Sequence, residues 1–339
     1  MCSLPLLIMI QNKDLLQGGK NLLAFSGGID SSALLFLLLE NSIAFDIAIV
    51  DYALREESKE EVAFAQKLAQ EHNFLCHLLT APKIEKNFEA NARNIRYEFF
   101  ESLIQKYSYT NLLTAHHLGD RFEWMLMQFC KGAGCYELSG MQTKEKREGY
   151  MLLRPLLHLD KSELLAYLHT NKLPYFVDQS NSDQKYKRNE FRHNYALPLL
   201  QKYRSGIQKS FEYLDNDVKE IYKETEVSKY NHFAYFKPSH SRRNDIIAID
   251  KYLKSKSHII TAQERKLLAS QKCTVVGRKY VVEIREDFIF IAPFITLKES
   301  QKMSKAFKEK MRKLKIEPKL RGYLSTDAAV VALLSELLK

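Results

Sequence analysis

Residues 22–32 read Leu-Leu-Ala-Phe-Ser-Gly-Gly-Ile-Asp-Ser-Ser and decide the fold of the first half of the chain. The first four residues form a short apolar run typical of a buried strand, and a helical apolar pattern follows the serines. The glycine pair between them permits positive φ and leaves backbone N–H groups unshielded. A strand, a glycine turn and a helix N-terminus together predict a site for phosphate.

The side chains of this turn refine the prediction. Ser26 and Ser31 can add hydroxyl donors, whereas the Asp30 carboxylate would repel phosphates unless it binds Mg²⁺ or caps the helix. An ordinary tight turn with a Ser or Asp cap is the alternative, but the complete string in this context favours the phosphate site. Neither Gly-x4-Gly-Lys-Ser/Thr nor Gly-x-Gly-x-x-Gly occurs, which excludes a kinase-type P-loop and a dinucleotide fold.

Short apolar runs alternate with longer amphipathic runs around this turn, which predicts a parallel α/β sheet. In such sheets ligands bind outside the carboxyl ends of the strands. We expect strands over residues 22–25, 45–50, 74–79 and 111–115, and helices over residues 31–40, 57–71, 88–106 and 120–130.

After about residue 150 the pattern changes. We expect helices over 160–171 and 197–226, and three short β-type runs between 273 and 293 predict a small antiparallel unit. The fold class is therefore α/β, followed by a helical segment and a small α+β domain. The expected boundaries are an α/β domain over 1–205, a helical linker over 206–244 and a basic C-terminal domain over 245–339. The α/β domain is expected to carry the catalytic site, and the basic domain is expected to bind a nucleic acid.

Charge separates the two halves of the chain. The formal net charge is +10, but residues 1–182 hold 18 Lys and Arg against 22 Asp and Glu, whereas residues 183–339 hold 33 against 19. A basic half favours a polyanion partner, although a well-solvated surface explains it equally. Within it, 302–321 carries nine basic residues. Met303, Phe307, Met311 and Leu314 would share one helical face there, leaving the lysines outward.

Composition excludes several classes. A length of 339 residues allows two domains, and no apolar run approaches the ~20 residues that span a bilayer. The apolar stretch Leu4–Ile10 has no basic residue before it, so a signal peptide is not expected. Five scattered cysteines without Cys-x-x-Cys predict neither disulfides nor a metal–sulfur site. A reducing cytoplasm fits best.

The string Ser-Gly-Gly-x-Asp-Ser resembles the pyrophosphatase loop, or PP-loop, of enzymes that split ATP between its α and β phosphates and adenylate a substrate oxygen. The resemblance implies a sheet of the adenine nucleotide alpha hydrolase-like type, with ATP and Mg²⁺ as cofactors. It implies that Asp30 holds Mg²⁺ and that ATP is bound by Ser26, Gly27, Gly28, Ile29, Asp30 and Ser31.

Further motifs resemble those of the tRNA(Ile)-lysidine synthetase family and cover about residues 20–200. These motifs are Val50–Arg55, Glu89–Phe100, Ala115–Glu123, Lys131–Met141, Arg154–Leu157 and Leu173–Leu200. Tyr52, Ala53 and Gly119 depart from the family pattern of His, Gly and Asp. From helical geometry, Asp120 and Glu123 are i and i+3, so both can face one pocket and hold an ammonium group or a metal.

The resemblance implies an ATP-dependent ligase that joins free L-lysine to the wobble cytidine of the CAU anticodon of tRNA(Ile) through an adenylated tRNA. It implies catalytic roles for Asp51, Arg93, Arg96, His116, Asp120 and Glu123, and tRNA contacts for Arg154, Arg188, Asn189, Arg192 and His193. It also makes tRNA the nucleic acid that the basic C-terminal domain is expected to bind.

Two alternatives remain open at the level of sequence. One is a tRNA 2-thiolation enzyme built on the same loop, for which Cys130 and Cys135 are a weak pair of candidates. The other is a non-catalytic RNA-binding protein with a vestigial loop. Mass spectrometry of tRNA incubated with ATP and lysine distinguishes all three functions.

Overall fold

The computed structural model describes residues 8–52, 57–177, 187–296 and 303–339. Within this part the chain divides into two compact units, 1–219 and 220–339. The first unit comprises α1 (Lys13–Gln17), β1 (Asn21–Ala24), α2 (Ile29–Glu40), β2 (Phe45–Asp51), α3 (Glu57–His72), β3 (Cys76–Thr80), α4 (Phe88–Tyr107), β4 (Asn111–Leu113), α5 (Leu118–Phe129), α6 (Cys135–Ser139), β5 (Lys144–Lys146), β6 (Met151–Leu153), α7 (Lys161–Thr170), α8 (Lys187–Phe191), a π-helical turn (Arg192–Ala196) and α9 (Leu197–Ile221).

The six strands of the first unit lie in the order β3-β2-β1-β4-β6-β5, and only β5 is antiparallel to its neighbour. Leu22 and Leu23 of β1 are both fully buried, because helices cover both faces of a parallel sheet. Leu23 packs in the cluster that contains α2 and α7, and Leu22 packs on the opposite face against α4. The predicted α/β fold is confirmed.

This strand order places a topological switch point between β1 and β4. The chain runs outward from β1 through β2 to β3 and then returns to β4 on the other side of β1. Ligands of open α/β sheets bind in the crevice at such a point. Residues 25–32 follow β1 and residues 114–120 follow β4, so the glycine turn lies near His116 and His117 at this switch point.

The second unit contains a five-stranded antiparallel sheet in the order β7-β8-β11-β10-β9. One face packs on α10 and α11, and the other packs on the last three helices. The elements are β7 (Ser228–Tyr230), β8 (Phe233–Phe236), α10 (Arg242–Ser255), α11 (Ala262–Ser270), β9 (Cys273–Val276), β10 (Tyr280–Ile284), β11 (Ile289–Pro293), α12 (Lys305–Lys313), α13 (Pro318–Leu324) and α14 (Ala328–Leu337).

Residues 206–244, expected to form a helical linker, contain two of these strands. Asn231 has a φ of 53° and turns β7 into β8, whose Phe233 and Phe236 are buried in the second unit. Strands of three and four residues are too short to show a clear alternation of apolar and polar residues.

The described residues of the basic region, 303–321, include α12 and the start of α13, with Lys315 at a φ of 54° between the two helices. Phe307, Met311 and Leu314 do face the core of the second unit, and Arg285 Nη1 donates to the Leu314 and Lys315 carbonyls at the end of α12. Among the residues that the structure describes, no helix is both long and apolar enough to cross a membrane.

Candidate functional site

The turn from β1 to α2 has the geometry that phosphate binding requires. Gly27 has a φ of 74°, and its carbonyl accepts hydrogen bonds from Phe176 N at 2.9 Å and Ser32 Oγ at 3.0 Å. Gly28 precedes α2 and has no side chain to cap it, so the first N–H groups of the helix face outward from the turn. The dipole of α2 adds partial positive charge at the same place.

The two serines of the turn bond to each other. Ser31 Oγ lies 3.1 Å from Ser26 Oγ, accepts from Ser26 N at 3.3 Å and donates to the Gly28 carbonyl at 3.1 Å. These bonds hold the turn closed without an external ligand. The two hydroxyls therefore lie at the mouth of the predicted anion site in fixed positions.

Asp30 is placed where it can accept a cation. Its Oδ1 is buried and, within the described residues, has no hydrogen-bond partner. Burial raises the pKa of Asp30 above its ordinary value, although the positive charges of His117 and Lys161 oppose that rise. An unpaired carboxylate oxygen beside a phosphate site is a suitable ligand for Mg²⁺.

His117 connects the turn to α5. It is the N-cap of that helix, and its Nδ1 accepts from Gly119 N at 3.0 Å, a bond that directs Nε2 toward the carboxylates. Nε2 lies 3.8 Å from Asp30 Oδ2 and 3.6 Å from Asp120 Oδ2. One imidazole thus stands between a carboxylate of the turn and a carboxylate of α5.

Asp120 and Glu123 lie on one face of α5, as their spacing predicts, and pair with two arginines. Arg188 Nε donates to Glu123 Oε1, and Arg192 Nε donates to Glu123 Oε2 at 2.8 Å. The Nη2 atoms of both arginines lie 3.2 Å from Asp120 Oδ1. We call these four residues the carboxylate–arginine network. The arginines come from α8 and the π-helical turn, a rare conformation that is frequent at functional sites.

The network fixes the charge of Asp120. Burial alone would raise its pKa, but the charges of His117, His116 and the two arginines outweigh burial and hold the pKa far below its usual range. Asp120 therefore stays ionised at neutral pH and is a very weak base. Its chemical use is to hold positive charge.

His116, by contrast, is neutral at pH 7. Burial lowers its pKa to about 4, with Asp120 opposing and with Arg154, Arg188 and Arg93 contributing in the same direction as burial. Its Nδ1 lies 2.9 Å from Thr114 Oγ1. Because these charges act on it, the predicted residues Arg93 and His116 lie within electrostatic reach of each other.

The other predicted catalytic residues lie around this centre. Asp51 ends β2, on the far side of β1 from His117, and is half-buried. Arg93 is exposed and covers the Tyr97 ring at 4.7 Å. Arg96 is also exposed, and its charge acts on Tyr52. Tyr52 donates to the Ala92 carbonyl at 3.0 Å, which explains how this departure from the family's His is accommodated.

Arg154 requires a correction. It is 5% exposed, its Nη1 donates to the Gln142 carbonyl at 2.8 Å and its Nη2 bonds to Glu145 at 3.0 Å. A surface contact of this side chain with tRNA does not fit that position, because the guanidinium is buried and bonded inside the unit. Asn189 is half-buried and His193 is exposed. The predicted motif residues 53–55 and 178–186 lie outside the described residues.

Three features of the site were missed from sequence. Sequence reasoning assigned a role to His116 but none to His117. Lys161 begins α7. The carbonyl of Leu159, two residues before it, accepts from Leu118 N at 2.8 Å, so Lys161 lies near the N-terminus of α5. Arg121 is buried and bonds to Ser139 O and Asp215, which joins α5 to α9. Only the motif around His117 carried any sequence signal.

Comparisons with known proteins identify relatives of the chain as a whole. A family model described as a PP-loop domain matches residues 7–199. The tRNA(Ile)-lysidine synthase of Helicobacter pylori is 43% identical over 313 residues, 92% of this chain and 91% of that protein. That of Wolinella succinogenes is 42% identical over 318 residues, 94% of this chain and 96% of that protein.

Among solved structures, the U34-tRNA thiolase NcsA from Methanococcus maripaludis is similar with a TM-score of 0.51 at 16% identity, over 66% of this chain and 81% of that chain. That distant likeness concerns the fold alone. Full-length similarity to the synthases, with the PP-loop match over more than half of the sequence, assigns the family. The chain belongs to the tRNA(Ile)-lysidine synthase family of PP-loop proteins.

Proposed function

We propose that this protein ligates L-lysine to the wobble cytidine of the CAU anticodon of tRNA(Ile), with ATP as the energy source, and so changes decoding from AUG to AUA. ATP adenylates the 2-carbonyl oxygen of cytosine and pyrophosphate leaves. The ε-amino nitrogen of lysine then bonds to carbon 2 of the cytosine, as the bond from that carbon to the adenylated oxygen breaks. AMP and a proton are released. The reaction would take place in the cytoplasm, where tRNA is found.

One observation supports the proposal above all others. His117 Nε2 lies within 4 Å of both Asp30 and Asp120, so the predicted ATP turn and the carboxylate–arginine network share one crevice. An ATP-dependent ligation needs the activated oxygen and the amine to meet in one place. The switch point between β1 and β4 provides that place.

In the first step the turn would bind the phosphates. The N–H groups at the start of α2 would donate to phosphate oxygens. The Ser26 and Ser31 hydroxyls would do the same after turning from Ser31 Oγ and the Gly28 carbonyl, and Lys161 would add the positive side chain that the turn itself lacks. Asp30 Oδ1 fits a Mg²⁺ ligand because it is a buried oxygen that lacks a partner in the described chain. Bound Mg²⁺ neutralises phosphate charge and favours departure of pyrophosphate.

In the second step the network would bind lysine. The carboxyl oxygens of Asp120 and Glu123 suit an ammonium group, and the outer N–H groups of Arg188 and Arg192 suit a carboxylate or an RNA phosphate. Asp51, Arg93 and Arg96 stay proposed contributors from the rim. Because the pKa of Asp120 is so low, its proposed role is to hold the amine, and proton removal falls to another group.

The experiment is mass spectrometry of nucleosides from tRNA(Ile) incubated with the protein, ATP and ¹⁵N-labelled lysine. We expect a cytidine heavier by one lysine residue and carrying the label. A sulfur-containing nucleoside would indicate thiolation instead, and binding without any modified nucleoside would leave a non-catalytic RNA-binding protein.

A second measurement separates the two steps. Glu123→Gln should impair lysine transfer more than adenylation, so adenylated tRNA should accumulate when lysine is limiting. The matched control is Glu89→Gln, because Glu89 is exposed and lies 3.8 Å from Arg188 Nη1. Equal loss of both steps in the Glu123 variant would argue for a role of Glu123 with ATP.

A further inference from the structure

The only tryptophan of the chain, Trp124, is 44% exposed on α5. Tryptophan is usually among the more buried residues, so a half-exposed indole beside a reactive site needs an explanation. Trp124 follows Asp120 by four positions, which places the two side chains on neighbouring turns of one helix face. The indole therefore lies one turn beyond the carboxylate–arginine network.

The indole is held in a fixed place by the backbone of Gly140. That glycine has a φ of 62°, and a Cβ at this position would lie 2.8 Å from Trp124 Cδ1 and 3.4 Å from Nε1. Any larger residue would push the ring away. One edge of the indole is thus packed against the chain after α6, while the rest of the ring has access to solvent.

The neighbouring charges suit RNA. Arg188 and Arg192 lie next to Asp120, their side chains are 39% and 26% exposed, and Lys131 follows α5 in an exposed position. Exposed aromatic rings among basic side chains are the usual means by which proteins bind single-stranded RNA, because every base has a face that can stack.

We propose that Trp124 is a stacking platform for an unpaired nucleobase of the RNA substrate, next to the reacting cytidine. This inference rests on the proposed function in one respect, which is that the RNA is an anticodon loop. The contact itself is a binding contact, and its presence does not depend on whether lysine is transferred.

Intrinsic fluorescence tests the contact directly, because no other tryptophan contributes to the emission. The full-length protein is titrated with a CAU anticodon stem-loop RNA without ATP or lysine, with excitation at 295 nm, while anisotropy of end-labelled RNA reports binding independently. We expect quenching that follows the binding isotherm. Saturated binding without quenching would overturn the proposal, as would equal quenching by a fully paired hairpin.

Substitutions test the stacking energy. Trp124→Leu keeps an apolar side chain but loses the ring, and it should weaken stem-loop binding by about 5- to 100-fold, whereas Trp124→Phe should lose less. Phe129→Leu is the matched control, since Phe129 is a 65% exposed aromatic at the end of the same helix and should be neutral.

Two results would count against the proposal. Wild-type affinity in Trp124→Leu would remove Trp124 from the RNA surface. A change in sedimentation coefficient with unchanged RNA affinity would assign the indole to contact with a second copy of the chain. If quenching and the affinity loss are seen but no lysidine forms, the stacking proposal stands and the proposed reaction fails.

Discussion

Arg192 Nε donates a 2.8 Å hydrogen bond to Glu123 Oε2 across 69 positions of sequence, and the Glu123 side chain is only 3% exposed. Leaving a buried carboxylate without its charged partners is strongly destabilising. The same bond attaches the π-helical turn to α5. The pair therefore contributes both to the stability of the first unit and to the shape of the crevice.

Removing either partner should destabilise the protein, and removing both should cost less than the sum. We expect Glu123→Ala to lower the free energy of unfolding by about 2 kcal/mol, because both arginines lose a charged partner. The loss stays moderate because the partly exposed arginines regain some hydration. Together with Arg192→Ala, a double-mutant cycle in urea should give a coupling of about 1 kcal/mol or more. Strict additivity would show that the two charges do not support each other.

Asp30→Asn should abolish adenylation while leaving tRNA binding intact and stability undiminished. The pKa of Asp30 is raised on folding, so the folded state binds its proton more tightly than the unfolded state, and the ionised form at pH 7 costs stability. Asparagine removes that cost. ATP–pyrophosphate exchange measures the first effect and thermal unfolding at pH 7 the second; undiminished exchange with Mg²⁺ present would refute the role of Asp30.

Lys161→Met should raise the KM for ATP about tenfold, the expected cost of one charge-assisted contact of roughly 1.5 kcal/mol. Lys161→Arg should stay near the wild-type value. Lys172→Met is the control, because Lys172 is an exposed lysine just beyond the other end of α7. Equal KM values for all three variants in tRNA-dependent pyrophosphate exchange would exclude Lys161 from the phosphate site.

The exposed lysines of α12 should bind the tRNA body. Changing Lys305, Lys308 and Lys310 to Glu should raise the KM for full-length tRNA much more than for an anticodon stem-loop. The slope of log K against log salt should fall in magnitude by about 0.7–0.9 for each lost phosphate contact. Substitution of the same three by Arg keeps the charge and should be neutral. Equal effects on both RNAs would remove α12 from the binding surface.

Glu283 should make the second unit less stable as pH rises. Burial raises its pKa to about 7, while its Oε2 accepts from Glu317 N at 3.0 Å and its Oε1 lies 3.7 Å from Arg285 Nη1. The unfolded carboxyl loses its proton near 4.5, so stability falls between pH 4.5 and about 7 and then levels off. Thermal unfolding at pH 5 and pH 8 should show a Tm advantage of Glu283→Gln that grows with pH; a constant difference would contradict the shift.

The fold could be predicted where local pattern and tertiary structure agree. The predicted strand over 45–50 and the helix over 88–106 match β2 and α4 to within one residue, since a buried parallel strand and an amphipathic helix leave clear patterns. The pairing of Glu123 with Arg188 could not be predicted, because the two residues are 65 positions apart and their motifs mark site residues without showing which of them bond to each other. The burial of Arg154 could not be predicted either, since a sequence shows charge but not burial.

The two carboxylate oxygens of Asp120 contact different parts of the crevice. Oδ2 accepts from His117 N and so helps to start α5, while Oδ1 lies against both arginines. A substitution of Asp120 cannot change one set of contacts alone. Glutamate would shift both oxygens by a methylene, and asparagine would lose one acceptor oxygen. A substitution at Asp120 should therefore disturb the start of α5 and the arginine contacts together, whereas substitutions around it can alter the crevice while leaving the start of the helix intact.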